Sequence, residues 1–144
     1  MFIFKKSAAD DMRLFQIWSE APEVQRWVSI DDWMAYYCAV SSRDDYLLYS
    51  VYQNGEIIAF VGAEIKDKKA ALCLIVSPEH QNKGIGTTVL RQLIREAKTL
   101  LSNATDLCAG IFPKNHASIR CFQKAGFQKT FRGNDGEMMY TYTL

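Results

Sequence analysis

The chain has 144 residues, of which 49% are apolar and 23% charged, and its net charge is +1. That length suits one domain around a single core, and the near-balanced charge gives no reason to expect nucleic acid or an acidic membrane as partner. No apolar run approaches the ~20 residues that span a bilayer, and Met1-Phe2-Ile3-Phe4-Lys5-Lys6 lacks the charged-then-apolar order of a signal peptide, so a cytoplasmic place is expected.

Met1 to Phe4 reads as a short first strand. Asp10 or a neighbour caps a helix that carries Met12, Phe15, Ile17 and Trp18 on a broad apolar face. Pro22 ends that helix and starts a short second one through Val24, Trp27 and Val28. Ser29-Ile30-Asp31-Asp32 has the form of a capping box with aspartate in place of the usual glutamate. Ile30, Trp33, Met34, Tyr37 and Cys38 follow at helical spacing. At Tyr46 the character changes: residues 46–53 and 56–66 are rich in β-branched and aromatic side chains, and Asn54-Gly55 between them is a hairpin signal. Asp67-Lys68 turns the chain into the apolar strand that ends at Val76, where Ser77-Pro78 breaks it. Ile85, Val89, Leu93, Ala97 and Leu100 then recur at helical spacing as far as Leu101.

Asp106 to Ile111 reads as a strand parallel to the one before it, because a helix joins the two. Ser118 to Ala125 is helical, Gly126 ends it, and residues 127–132 and 137–143 form a last hairpin around Asn134-Asp135-Gly136. The pattern is one α+β domain over residues 1–144, with a mixed, mostly antiparallel sheet of about seven strands flanked by helices. Cys38, Cys73, Cys108 and Cys121 show no Cys-x-x-Cys spacing, so no metal site is expected and buried reduced thiols are the plain reading.

The chemistry concentrates between strand and helix at Gln81-Asn82-Lys83-Gly84-Ile85-Gly86-Thr87. The first turn of a helix has N–H groups without intrahelical partners and a partial positive charge. Gly84 and Gly86 have no Cβ, so a phosphate can come close to that backbone, and Lys83 adds a full charge. This reads as a diphosphate cradle. The nucleoside-triphosphate loop is excluded because the lysine precedes the glycines, and the dinucleotide fingerprint because Val89 stands where its third glycine belongs.

Gln81-x-x-Gly84-x-Gly86, after a strand and Pro78-Glu79, resembles the coenzyme A loop of the GNAT superfamily of acetyl-CoA-dependent N-acetyltransferases. A second segment, Asn115-x-x-Ser118-x-x-x-Phe122-x-x-x-Gly126-Phe127, is similar to that family's Asn-x-x-Ser/Ala-x-x-x-Tyr-x-x-x-Gly-Phe pattern, with phenylalanine in the tyrosine's place. The resemblance implies a sheet splayed between its fourth and fifth strands, with residues 46–144 as sheet and cofactor core and residues 1–45 as variable substrate-side helices. It implies acetyl-CoA as acyl donor. Main-chain groups of Leu74, Ile75 and Val76 would align the pantetheine arm, and Gln81, Asn82, Lys83, Gly84, Ile85, Gly86 and Thr87 would hold the diphosphate. Asn115 and Ser118 would contact the arm and Lys124 the nucleotide end.

The usual base positions in that family fall on Ala70 and Gly110, which cannot take a proton. Glu64, on the third strand, is the nearest carboxylate that could face the cleft, and Phe122 takes the place of the leaving-group acid. Trp27, Asp31 and Trp33, among other aromatics and carboxylates of the first helices, suit a cationic amine. A small amine is therefore the expected acceptor, against a peptide or protein amine, or a non-catalytic acyl-CoA-binding module. Dimers are common in the family, and the last strand, 137–143, is read as an edge open to a second copy.

Overall fold

The computed structural model describes residues 1–144, leaving aside the side chain of Asn134. Strands β1 (Ile3–Lys6), β2 (Tyr46–Gln53), β3 (Glu56–Lys66), β4 (Lys69–Val76), β5 (Asp106–Ile111), β6 (Gln128–Arg132) and β7 (Met138–Thr143) form one sheet in the order β1-β2-β3-β4-β5-β7-β6. Only β4 and β5 pair in parallel. Helices α1 (Asp11–Glu20), α2 (Pro22–Gln25) and α3 (Trp33–Val40) precede β2; α4 (Ile85–Arg95), α5 (Ala97–Leu100) and α6 (His116–Lys124) follow β4 and β5.

The two meander turns follow from local chemistry. Asn54 and Gly55 have φ of 52° and 80°, and Asp67 and Lys68 have φ of 52° and 64°. Two consecutive left-handed residues match the twist of the strands they join. β3 lies in the middle of this meander and is buried on both faces from Ile58 to Ala63, as its continuous apolar run requires.

The sheet carries a core on each face. On one, Val89, Leu90 and Leu93 of α4 and Phe122 of α6 pack over Val61, Ala63, Ala70 and Leu107. Each fully buried aliphatic side chain here is worth about 1.5–3 kcal/mol. Gln92 is buried in the same helix face because its amide answers both main-chain groups of Phe2, accepting from N at 3.1 Å and donating to O at 2.6 Å. On the other face α1 and α3 lie over β2–β4 through an aromatic cluster. Phe15 sits 5.0 Å from Phe60 and 5.4 Å from Trp33, and Trp33 sits 5.1 Å from Phe60. Such ring pairs add roughly 0.5–1.5 kcal/mol each beyond area burial. Trp33 is wholly buried, and its indole N–H donates to Ser19 Oγ at 2.7 Å.

Three expectations are corrected here. The long helix to Leu101 is two, broken at Glu96 into α4 and α5. The last strand is not an edge: β7 lies between β5 and β6, so β6 occupies the rim and the dimer surface read at 137–143 is already paired on both sides. The cysteines are free thiols as expected, but Cys38 and Cys73 are exposed and Cys108 and Cys121 half-buried.

Candidate active site

The parallel pairing of β4 with β5 runs through Lys69–Asp106, Ala70–Leu107 and Ala71–Cys108 and then stops. Beyond that rung the strands part, which is the expected splay. The register shows which main-chain groups line it. Ser77 N donates to Ile58 O, and antiparallel residues alternate between exchanging both bonds with one neighbour and turning both groups away. Ile75 therefore bonds with Phe60 of β3, while Leu74 and Val76 turn their N–H and C=O groups into the fork. On the opposite side, Leu144 N donates to Thr105 O, so by the same alternation Gly110 presents its main-chain groups to the fork. Of the three residues expected to align a cofactor arm, Ile75 is excluded: its polar main chain faces the other way, and its side chain is core.

The far end of the fork is the glycine loop. Gln81 Nε2 donates to Val76 O at 3.1 Å, tying the loop back onto β4. Asn82 has φ 63° and Gly84 φ 76°, so the chain coils tightly before α4. Gly84 is the N-cap of α4, and no side chain caps that end. The helix's first N–H groups, at Ile85, Gly86 and Thr87, thus point out of the helix mouth. Lys83 is exposed beside them. A Cβ on Gly86 would lie 2.8 Å from Cys121 Sγ, 3.5 Å from Val76 Cγ2 and 3.6 Å from Leu74 Cδ2. The missing side chain lets the start of α4 lie against both β4 and α6. This uncapped, side-chain-poor cradle at the end of a split sheet fits a diphosphate with an extended arm.

On α6 the second motif is partly structural. Asn115 caps the helix, its Oδ1 accepting from Ser118 N at 3.3 Å. Ser118 is half-buried, and Lys124 is exposed, with its carbonyl accepting from Arg91 at 3.0 Å. Phe122 is corrected: the ring is 4% exposed and packs edge-on against Phe127 at 5.0 Å, so it belongs to the core.

The cleft face above the fork is lined by groups from several elements. Paired strand residues point to the same face, which places Tyr46, Glu64 and Ala71 in one row and Leu48, Gly62 and Cys73 in the next. Burial pushes the Tyr36 phenol up to about 12, with the nearby Cys73, Tyr46 and Glu64 charges adding to it. Tyr46 is raised by burial and then by Glu64. Glu64 is thus an exposed carboxylate among two tyrosines on this face. Cys73 is exposed on this face, and desolvation beside the sheet pushes its thiol up to about 11. Of the expected substrate residues, Trp27 stacks on Phe112 at 6.3 Å and 29°, forming a lip between the helices and the end of β5. Asp31 is exposed, and its carbonyl accepts from Gln16 at 3.1 Å. Trp33 is excluded by its complete burial.

Two residues of this face escape a linear reading. Phe112 is one. Glu137 is the other: a Cβ built on Gly110 would lie 2.8 Å from its Oε1 and 3.1 Å from its Oε2. The signal was the glycine itself, a strand position emptied of side chain where another group comes close.

A sequence model of the acetyltransferase (GNAT) family matches residues 12–127. A ribosomal protein bS18-alanine N-acetyltransferase of Escherichia coli (strain K12) is 30% identical over 98 residues, 67% of this chain and 65% of that protein's length. The aminoglycoside acetyltransferase AAC(6')-Ib, solved with coenzyme A, superposes with a TM-score of 0.86 at 19% identity, over 99% of this chain and 95% of that one. A chimera of the spermidine N-acetyltransferase SpeG from Vibrio cholerae superposes with a TM-score of 0.79 at 19% identity, over 99% and 94%. These structural likenesses speak to the fold.

Proposed function

The chain belongs to the GNAT family of acetyltransferases, and from that premise we propose that it moves an acetyl group from acetyl-CoA directly to a primary amine. The observation that carries this is the fork between β4 and β5 ending in the uncapped N-terminus of α4. Acetyl-CoA bound there supplies an activated thioester. The chain's own part is to hold and orient. The N–H groups of Ile85, Gly86 and Thr87, with Lys83, meet the diphosphate. Asn82, Gln81, Asn115 and Ser118 would shape the groove around it, and Lys124 would meet the nucleotide end. Leu74 and Val76 on one side and Gly110 on the other offer main-chain groups to the arm, with an N–H available to a developing oxyanion. Bringing both reactants into one cleft already supplies much of the rate, and no nucleophile–base pair suggests an acyl-enzyme.

The acceptor in this reading is a small cationic amine. Trp27 and Phe112 give it an aromatic lip, Asp31 lies exposed in the same connection between α2 and α3, and Glu64 gives negative charge beside Tyr36 and Tyr46. An amino-terminal alanine is the second reading, favoured by the bS18-alanine N-acetyltransferase likeness. Thiol release from acetyl-CoA, assayed with spermidine, kanamycin and an alanine-starting peptide, tests both. Amine-dependent turnover is expected with one of the small amines. Turnover with the peptide alone moves the acceptor to protein, and cofactor binding without any turnover marks a non-catalytic acyl-CoA module.

A further inference from the structure

Gly110 on β5 has no side chain of its own, yet the space above it is filled. We infer that Glu137, reaching back from the start of β7, is the carboxylate that takes the proton from the incoming amine; this rests on the acetyl-transfer reading above.

Cys108 pairs with Ala71 on the last closed rung between β4 and β5. Two residues on, Gly110 and Cys73 stand on the same face on either side of the opening. Gly110 pairs with Met139, so Glu137, two residues before Met139, points to that face too. Its carboxylate occupies the volume a Gly110 side chain would need, 2.8–3.1 Å from that Cβ position. The main chain that aims it is fixed, since Glu137 O accepts from Gly133 N at 2.7 Å. Among the described residues the one ion pair is Arg43–Asp45, so no cation claims the Glu137 carboxylate. Glu64, by contrast, lies in the row of Tyr46 and Ala71, over the part of the sheet that is still closed. It is placed to hold an ammonium group, one rung short of the fork. Glu137 is placed at the fork itself.

The step balances. The ammonium nitrogen gives one proton to Glu137, which passes it to water. The freed lone pair forms the N–C bond to the acetyl carbonyl carbon as the C–S bond breaks with its electron pair on sulfur. The nitrogen's second proton ends on that sulfur, leaving an acetamide and a thiol.

The test uses the full chain with spermidine, kanamycin and an alanine-starting peptide as amine probes. In Glu137→Gln, kcat/KM for the amine falls by about 10²–10⁴-fold, while calorimetric affinity for CoA is unchanged and affinity of the amine for the CoA-saturated protein weakens. Glu64→Gln raises KM more than it lowers kcat. Glu137→Ala with Gly110→Asp returns a carboxylate to the same space from β5 and recovers turnover over Glu137→Ala alone. A wild type inactive on all three amines overturns the functional reading and this inference with it. An active wild type matched by Glu137→Gln overturns this inference alone.

Discussion

The packing of the cofactor loop can be probed by refilling the space that Gly86 leaves. Gly86→Ala introduces a Cβ 2.8 Å from Cys121 Sγ, closer than such atoms approach, with two further contacts of 3.5 Å and 3.6 Å that are ordinary. One atom therefore carries nearly all of the clash. The same change replaces glycine within α4, which by itself favours the helix by about 0.8–1 kcal/mol. Overpacking costs typically 1–3 kcal/mol, so Gly86→Ala alone should range from nearly neutral to about 2 kcal/mol destabilising. In a Cys121→Ala background the obstructing sulfur is gone, and the substitution should become stabilising by about 1 kcal/mol. The coupling between the two positions is then about 1–3 kcal/mol, read from urea denaturation of the four proteins of the cycle. Calorimetry on the same set should show CoA affinity reduced in Gly86→Ala and largely restored in the double variant. Equal effects of Gly86→Ala in both backgrounds would refute the claim that the bare Gly86 is what lets the start of α4 lie against Cys121.

Further outcomes follow from the same geometry. Gly84→Val places a β-branched side chain at φ 76° in open space; backbone strain of about 1–2 kcal/mol should appear in denaturation, together with weaker CoA binding, since that residue aims the first N–H groups of α4. Trp27→Ala removes the half of the lip that stacks on Phe112 and should raise KM for the amine while leaving CoA affinity as it was. Stability should fall on the alkaline side. Tyr36 and Cys73 have folded pKa values raised to about 12 and about 11; their contribution is complete below the unfolded values and is lost as pH rises through the folded ones. Thermal unfolding across pH 8 to 12 (about the range of these groups) measures it. The raised Cys73 thiol stays protonated at pH 8, so alkylation there, followed by mass spectrometry, should be slower than for an ordinary exposed cysteine.

How much of this was legible in the chain varies with the range of the interaction. Asn54-Gly55 and Asp67-Lys68 declare their turns locally, and Gln81 to Thr87 declare a helix mouth without a cap, because these features depend on a few adjacent residues. The topology at the end of the sheet did not follow in the same way. Residues 137–143 form a good strand, but that they insert between β5 and β6 depends on pairings more than twenty residues apart. Trp33 and Phe122 were misplaced for a related reason. Aromatic residues at helical spacing serve a core or a cleft equally well, and only packing against Phe60 and Phe127 decides. Ile75 failed by one residue, since strand alternation turns neighbours in opposite directions and the register is not written locally. Glu137 is the sharpest case: Gly110 announced an absence, and the carboxylate that fills it comes from another strand.

The most direct measurement of the central claim is calorimetric titration of the folded protein with CoA and with acetyl-CoA. Binding of one molecule per chain at about micromolar Kd, weakened by Gly84→Val and unaffected by Trp27→Ala, is the predicted result. No heat with either compound, from protein shown to be folded, would contradict the assignment of the α4 mouth and the β4–β5 fork to a pantetheine-bearing ligand.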